Sequence, residues 1–218
     1  MHELTLRPAS GTVWRFVAVG AVLFALANAL YSAWVEDWTY DEPFHLEWSE
    51  VLLTSRIADR HSQHFNSKTP VMLPNVFARM AMRRFSSAEP VVRLAARLPS
   101  VLWLLALLGT IFLVGRWQFG STAAHIATAA AALDPNLAAH GSVATVDAAY
   151  ALATLLTVAA ALRFSESPSL KRSVFLGLAL GFALTAKYSA VLLVPVLLLV
   201  PVLRRPPLPK IFAFKVTR

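Results

Sequence analysis

Cysteine is absent from the 218 residues. That removes disulfides and thiolate chemistry, and it leaves any metal to histidine and carboxylate ligands. Charge is also sparse: Asp, Glu, Lys and Arg make up 15% of the chain against 57% hydrophobic residues. Several apolar runs are too long for the core of a soluble domain. No basic run is interleaved with a soluble fold, so the formal charge of +8 points to cytoplasmic anchoring and contact with membrane lipids, not to nucleic acid. A cleavable leader is not expected. The first apolar run is too long for a signal h-region and lacks a small-x-small site before the acidic pair that follows it.

What is present is the outline of an integral membrane protein. Phe16 to Val35 is almost wholly apolar, long enough at 1.5 Å per residue to cross a hydrocarbon core of roughly 30 Å. It runs into Trp38-Thr39-Tyr40-Asp41-Glu42-Pro43-Phe44-His45, where an acidic pair meets the membrane surface beside Trp34, Trp38 and Tyr40, rings of the kind that settle at headgroup level. Arg7 and Arg15 hold the preceding lead in the cytoplasm, which places Asp41 outside.

Residues 36–97 form a long outer loop, and that length predicts structure of its own. Phe44, Trp48, Val51 and Leu52 recur at helical spacing, as do Leu73, Val76, Phe77 and Met80, with Arg79, Arg83 and Arg84 on the remaining faces. Two amphipathic helices lying on the interface are the economical reading. The cations of this loop call for an anion, and lipid phosphate is the nearest.

Further spans follow at 98–114, at 123–133 before the break Asp134-Pro135-Asn136, and at 143–162, with Asp147 one turn inside its outer end. The run from Val174 to Leu203 decides the topology. As one helix it would reach about 45 Å and bury Lys187 near mid-bilayer, at about 2.5 to 3.5 kcal/mol. Breaking it at Lys187 gives two short spans, lifts Lys187 to the outer face and keeps the basic tail 204–218 inside. The expected fold is all-α: residues 1–218 as one transmembrane domain, a polytopic bundle of about six spans.

This topology gathers Asp41, Glu42, Asp134, His140, Asp147 and Lys187 at the outer end. Each has a structural alternative: Asp134 and Asp147 as helix caps, Lys187 as a snorkelling or paired cation, and His61, His64 and His125 as ordinary surface or packing residues. His45, one turn beyond Asp41, stands evenly between the two roles. Membrane insertion disfavours charge unless something uses or pairs it, so the coincidence outweighs its members.

The segments "TYDEPFH", "SKTPVMLPN", "VVRLAARLPSVLWLLALLGTIFLVGRWQFG", "ATVDAAYALATLLTVAAAL" and "LGLALGFALTAKYSAVLLVPVLLL" resemble the N-terminal half of the polytopic GT-C glycosyltransferases. Within that group they are nearest to the protein mannosyltransferases and the aminoarabinose transferases of lipid A. The resemblance covers roughly residues 12 to 203 and implies transfer of a sugar from a polyprenyl-phosphate donor at the outer, periplasmic or lumenal, face. It implies an active acid at Asp41 with Glu42 beside it, a lysine motif at Lys68, an arginine at Arg97, an acid at Asp147 and a later lysine at Lys187. Members are commonly longer, so a truncated or half-length form is expected. Ser67 stands where some relatives carry an acidic metal ligand. A divalent metal stays open on that account, with Glu42 and His45 as its candidate ligands.

The chemistry suits these residues. Displacing a polyprenyl phosphate needs a base for the acceptor's proton, and a partly desolvated carboxylate has its pKa raised toward that task. Asp41 is the candidate base, with Glu42 and Asp147 orienting it or a cationic partner. Lys68, Arg97 and Lys187 would bind the donor phosphate. A single displacement inverts the anomeric centre and needs no protein nucleophile. The expected setting is a bacterial inner membrane with the active side periplasmic or extracellular, and the acceptor is left unspecified. The alternatives are a non-catalytic membrane subunit, or a transporter binding an anionic lipid or solute.

Overall fold

A computed structural model of the chain describes residues 11–54 and 69–203, and every described element is helical. In order these are α1 (Gly11–Val35), α2 (Asp41–Thr54), α3 (Thr69–Arg83), α4 (Glu89–Phe119), α5 (Ser121–Ala132), α6 (Pro135–Ser142), α7 (Asp147–Glu166), α8 (Leu170–Ala186), a 3-10 turn (Tyr188–Leu192) and α9 (Leu193–Leu203). Among the described residues α1, α4 and α7 are long and apolar enough to cross a membrane, and the chain is an integral membrane protein. The other expected crossings fall on shorter elements. With 17 residues α8 reaches only about 25 Å, and α5 has 12.

Small residues set the packing. Ala18, Ala21, Ala25, Ala29 and Ala33 form the buried stripe of α1, while Phe16, Leu23, Phe24 and Tyr31 are exposed, the arrangement of a helix whose outer face meets lipid. The stripe packs on Val101, Leu104 and Leu108 of α4 and on Ala129 and Ala132 of α5; small side chains let these backbones approach closely. A second core joins Leu46 of α2, Val71, Met72 and Val76 of α3, Ala96 of α4, Ala149 of α7 and Ala186 of α8.

The long loop does hold two helices, α2 and α3, and each turns part of its apolar side outward, as helices lying on an interface would. Glu42, Leu46 and Ser49 form the buried stripe of α2 while Phe44 and Val51 are exposed; in α3, Val71, Met72, Asn75, Val76 and Arg79 are inside and Phe77 is outside. The apolar set is divided, with Phe44, Val51 and Phe77 outside and Val76 in the core, because a bilayer solvates an apolar side chain as well as a core would. The loop also ends sooner than expected. Helix α4 starts at Glu89 and continues through Pro99, a proline that neighbouring helices make tolerable in a membrane protein.

Two expected breaks are found. Asp134 caps α6, its Oδ1 accepting from the backbone N–H of Asn136 and of Leu137, both at 2.9 Å, and Pro135 at the first helical position has no N–H to orphan. Helix α8 stops at Ala186, and Lys187 is extended with φ −153° and ψ 132°.

Two glycines have steric reasons to be glycine. Gly120, at φ 88°, joins α4 to α5. At Gly141 a Cβ would meet Leu104 Cδ2 at 2.6 Å and Cβ at 2.9 Å, so α6 lies hard against α4. Gly141→Val should therefore cost about 1–3 kcal/mol by overpacking. Gly177→Ala, with nothing within 4 Å of the new Cβ, should be neutral or stabilising by up to about 1 kcal/mol. Thermal melts in detergent read both.

Candidate functional site

The site is built from two polar clusters at one end of the bundle. The first begins with Thr39-Tyr40-Asp41-Glu42, the S/T-x-x-E spacing of a capping box. Glu42 reaches back to accept from the Thr39 backbone N–H at 2.8 Å and from Thr39 Oγ1 at 3.1 Å. Its carboxylate is fully buried and also accepts from Arg97 Nε at 2.8 Å, Arg97 Nη2 at 2.6 Å and the backbone N–H of Ala144 at 2.6 Å.

Arg97 is buried as completely as its partner. Beyond Glu42 it donates through Nη1 to the carbonyls of Ala33 and Glu36 at 3.2 and 2.8 Å, and through Nη2 to that of Asp37 at 2.7 Å. Ala33 lies in the last turn of α1 and Glu36 and Asp37 just beyond it, where a cation is favoured. Arg93, one turn earlier, donates to Asp37 Oδ1 at 2.9 Å. The expectation of a phosphate-binding Arg97 therefore meets a different geometry. A guanidinium has five N–H groups, and here they are spent on a carboxylate and three carbonyls, away from solvent.

The second cluster stands at the start of α7. Asp147 Oδ1 is 3.0 Å from Lys187 Nζ, and its Oδ2 is 3.4 Å from His140 Nδ1. Lys187 Nζ also lies 5.8 Å from the Tyr150 ring centroid, and Ser189 Oγ donates to the Tyr150 hydroxyl at 3.3 Å. Unlike Glu42, these groups are half open: the side chains of Lys187 and Asp147 are 48% and 31% exposed.

The two clusters are joined through the backbone. Ala144, held by Glu42, belongs to the short link from α6 that runs directly into Asp147. Asp41, expected to be partly desolvated, is instead exposed at the first position of α2, adjacent to the clamped Glu42. Lys68, His61 and His64 lie outside the described residues. His45 is half-buried and His125 bonds the Ser121 carbonyl at 2.7 Å. As a metal ligand Glu42 does not fit, since both its oxygens are already occupied by N–H and O–H donors. No group of three or more His, Cys, Asp or Glu among the described residues could hold a metal ion.

Burial alone would raise the Glu42 pKa. The hydrogen bonds from Arg97, Ala144 and Thr39, with the Arg97 charge, outweigh it and hold the group below the ordinary glutamate value. Sequence reasoning missed Thr39 and Ala144 as partners of Glu42; the capping-box spacing was the available signal for Thr39, and nothing local could signal Ala144.

Compared with known proteins, the chain matches the family model described as dolichyl-phosphate-mannose-protein mannosyltransferase over residues 68–216. No curated protein and no solved structure matches it.

Glu42→Gln leaves Arg97 without its counter-charge and should cost about 3–5 kcal/mol, whereas Asp37→Asn, at an almost wholly exposed partner of Arg93, should change little. A depressed folded-state pKa gives stability that is complete above the unfolded value near 4.3 and is lost as pH falls through the lower folded value. Melts of the wild type should therefore drop below about pH 4.3 by more than melts of Glu42→Gln do.

Proposed function

Because the chain belongs to the dolichyl-phosphate-mannose-protein mannosyltransferase family, membrane glycosyltransferases that use polyprenyl-phosphate sugar donors, we propose that it moves a sugar from such a donor to an acceptor at the outer face of the membrane. The observation that carries the reading is Lys187: it leaves the helix at an extended break and is held, half exposed, 3.0 Å from Asp147.

An ammonium has three N–H donors, and only one is engaged by Asp147. The others suit the phosphate oxygens of the donor, where positive charge counts most as the phosphate leaves. Asp147 keeps Lys187 in place, and His140 bears on the other carboxylate oxygen. Lys68 joins the phosphate-binding set by the family resemblance.

Asp41 is the base. The acceptor hydroxyl gives its proton to the Asp41 carboxylate, its oxygen forms the new bond to the anomeric carbon, and the carbon–oxygen bond to phosphate breaks with its electron pair on the departing polyprenyl phosphate. One displacement inverts the centre. Glu42 and Arg97 act as positioning residues: they fix the first turn of α2, which carries Asp41, and the link that carries Asp147. This replaces the phosphate-binding role expected of Arg97.

Transfer from a radiolabelled polyprenyl-phosphate mannose in proteoliposomes tests the assignment. Asp41→Asn should lower kcat by about 10²–10⁴ with the donor KM little changed, and Lys187→Gln should raise the donor KM. Unaltered turnover in Asp41→Asn would remove the base from the scheme.

A further inference from the structure

A groove of about 280 Å³ lies between α1, α4 and α5, walled by Arg15, Val19, Val22 and Leu23 of α1, Phe112 of α4 and His125 of α5. It belongs to the end of the bundle away from Glu42 and Lys187. Arg97, early in α4, meets Ala33 at the close of α1, so Phe112, late in α4, falls at the other end with the start of α1. Gly11 and Thr122 are neighbours there, since a Cβ on Gly11 would lie 3.5 Å from Thr122 Oγ1. Arg15 and His125 follow about one turn further along α1 and α5.

The groove is polar at its head and apolar along the rest. Val19, Val22 and Leu23 continue from Arg15 at helical spacing, over eight residues or about 12 Å. Thr128 also lines it, but its hydroxyl is spent on the Ala124 carbonyl at 2.8 Å. Val19 and Leu23 are 51% and 61% exposed, so on a helix that crosses the membrane this wall is open to lipid.

The head of the groove lacks a counter-ion. Arg15 is exposed, so its N–H donors are accessible, and no hydrogen bond or ion pair engages them among the described residues. Helices α1 and α5 contain no carboxylate, and the only one on α4 is Glu89, at its far end. His125 gives its Nδ1–H to the Ser121 carbonyl at 2.7 Å, which leaves Nε2 as the other polar atom of the ring. Among the described residues this end of the bundle carries Arg15, Arg116, Arg163, Lys171 and Arg172 against Glu166. Such surroundings favour a net anion over a zwitterion.

We propose that the groove is a binding site for an anionic phospholipid, with the headgroup phosphate on Arg15 and one acyl chain along Val19, Val22 and Leu23. A basic pocket between membrane helices suits such a headgroup, and the apolar wall gives the chain a continuous track. The site is separate from the sugar-transfer reading and stands without it.

Native mass spectrometry of the detergent-solubilised full chain, with dioleoylphosphatidylglycerol and dioleoylphosphatidylcholine in turn, tests it. Wild type should retain the phosphatidylglycerol in preference. Arg15→Gln should weaken its binding about tenfold, the loss of one charge-assisted contact, and Val19→Trp, which fills the groove, should weaken it as well. Both positions are exposed, so both variants keep the fold. Arg116→Gln removes the same charge at the same end, from an exposed position outside the groove, and should leave binding unchanged. Excess inorganic phosphate should not displace the lipid. Equal retention of phosphatidylcholine, or equal weakening in Arg116→Gln, would reduce the effect to a basic surface and overturn the site. Unchanged binding in Val19→Trp, or displacement by phosphate, would remove the acyl chain from the groove and overturn it too.

Discussion

The pairing of Glu42 with Arg97 is the constraint on which this end of the bundle depends. Removing two charges from water costs several kcal/mol for each ion, and their attraction offsets this only where every remaining donor and acceptor is also satisfied. That condition is met: the guanidinium divides its N–H groups between Glu42 and the carbonyls of Ala33, Glu36 and Asp37, and the carboxylate takes in Thr39 and Ala144 as well. The pair thereby ties the end of α1, the first turn of α2, the first third of α4 and the link into α7. Its contribution is arrangement more than net stability, because a well-packed apolar pair can be as stable but cannot specify five backbone positions at once.

The second cluster is its opposite in kind. Asp147 and Lys187 are half exposed, and the ammonium keeps donors beyond the one given to Asp147. A saturated, buried ion pair has nothing left for a ligand, whereas a half-open one has both charge and access. The two are connected, since Glu42 holds the Ala144 backbone N–H in the link that runs into Asp147.

Much of this was legible in the residues. The cost of a mid-bilayer lysine predicts the break at Lys187, the Asp-Pro pair predicts the cap at Asp134, and the length of the 36–97 segment predicts helices within it. The inward faces of α2 and α3 were not legible. Apolar spacing says that one side avoids water, but in a membrane protein that side can meet lipid, so Phe44 and Phe77 sit outside while Glu42 and Arg79 sit inside. The role of Arg97 was hidden for a related reason. Its partners are backbone carbonyls some sixty residues away in sequence, and a backbone carbonyl carries no residue signature. The family resemblance located Arg97, and the structure adds Glu42 and the carbonyls of Ala33, Glu36 and Asp37 as its partners.

The alanine faces explain why polar contacts carry so much of the specification. Ala18 to Ala33 on α1, Ala124 to Ala132 on α5, Ala148 to Ala161 on α7 and Ala179 to Ala186 on α8 supply most of the buried surface of those helices. Lipid tails are as apolar as these faces, so burying them gains little hydrophobic energy, and short methyl ridges can slide past one another by a turn with small loss. Register must then come from groups that have only one good position. Asn75 of α3 donates to the Ala96 carbonyl and to Ser100 Oγ of α4 at 2.8 and 3.0 Å, Glu42 fixes α2 to Arg97 of α4, and Lys187 fixes the end of α8 to Asp147 of α7. All three locks draw on side chains that a slide of one helical turn, about 5.4 Å, would separate. The same contacts that assemble the polar end of the bundle thus set how the apolar helices align beside it.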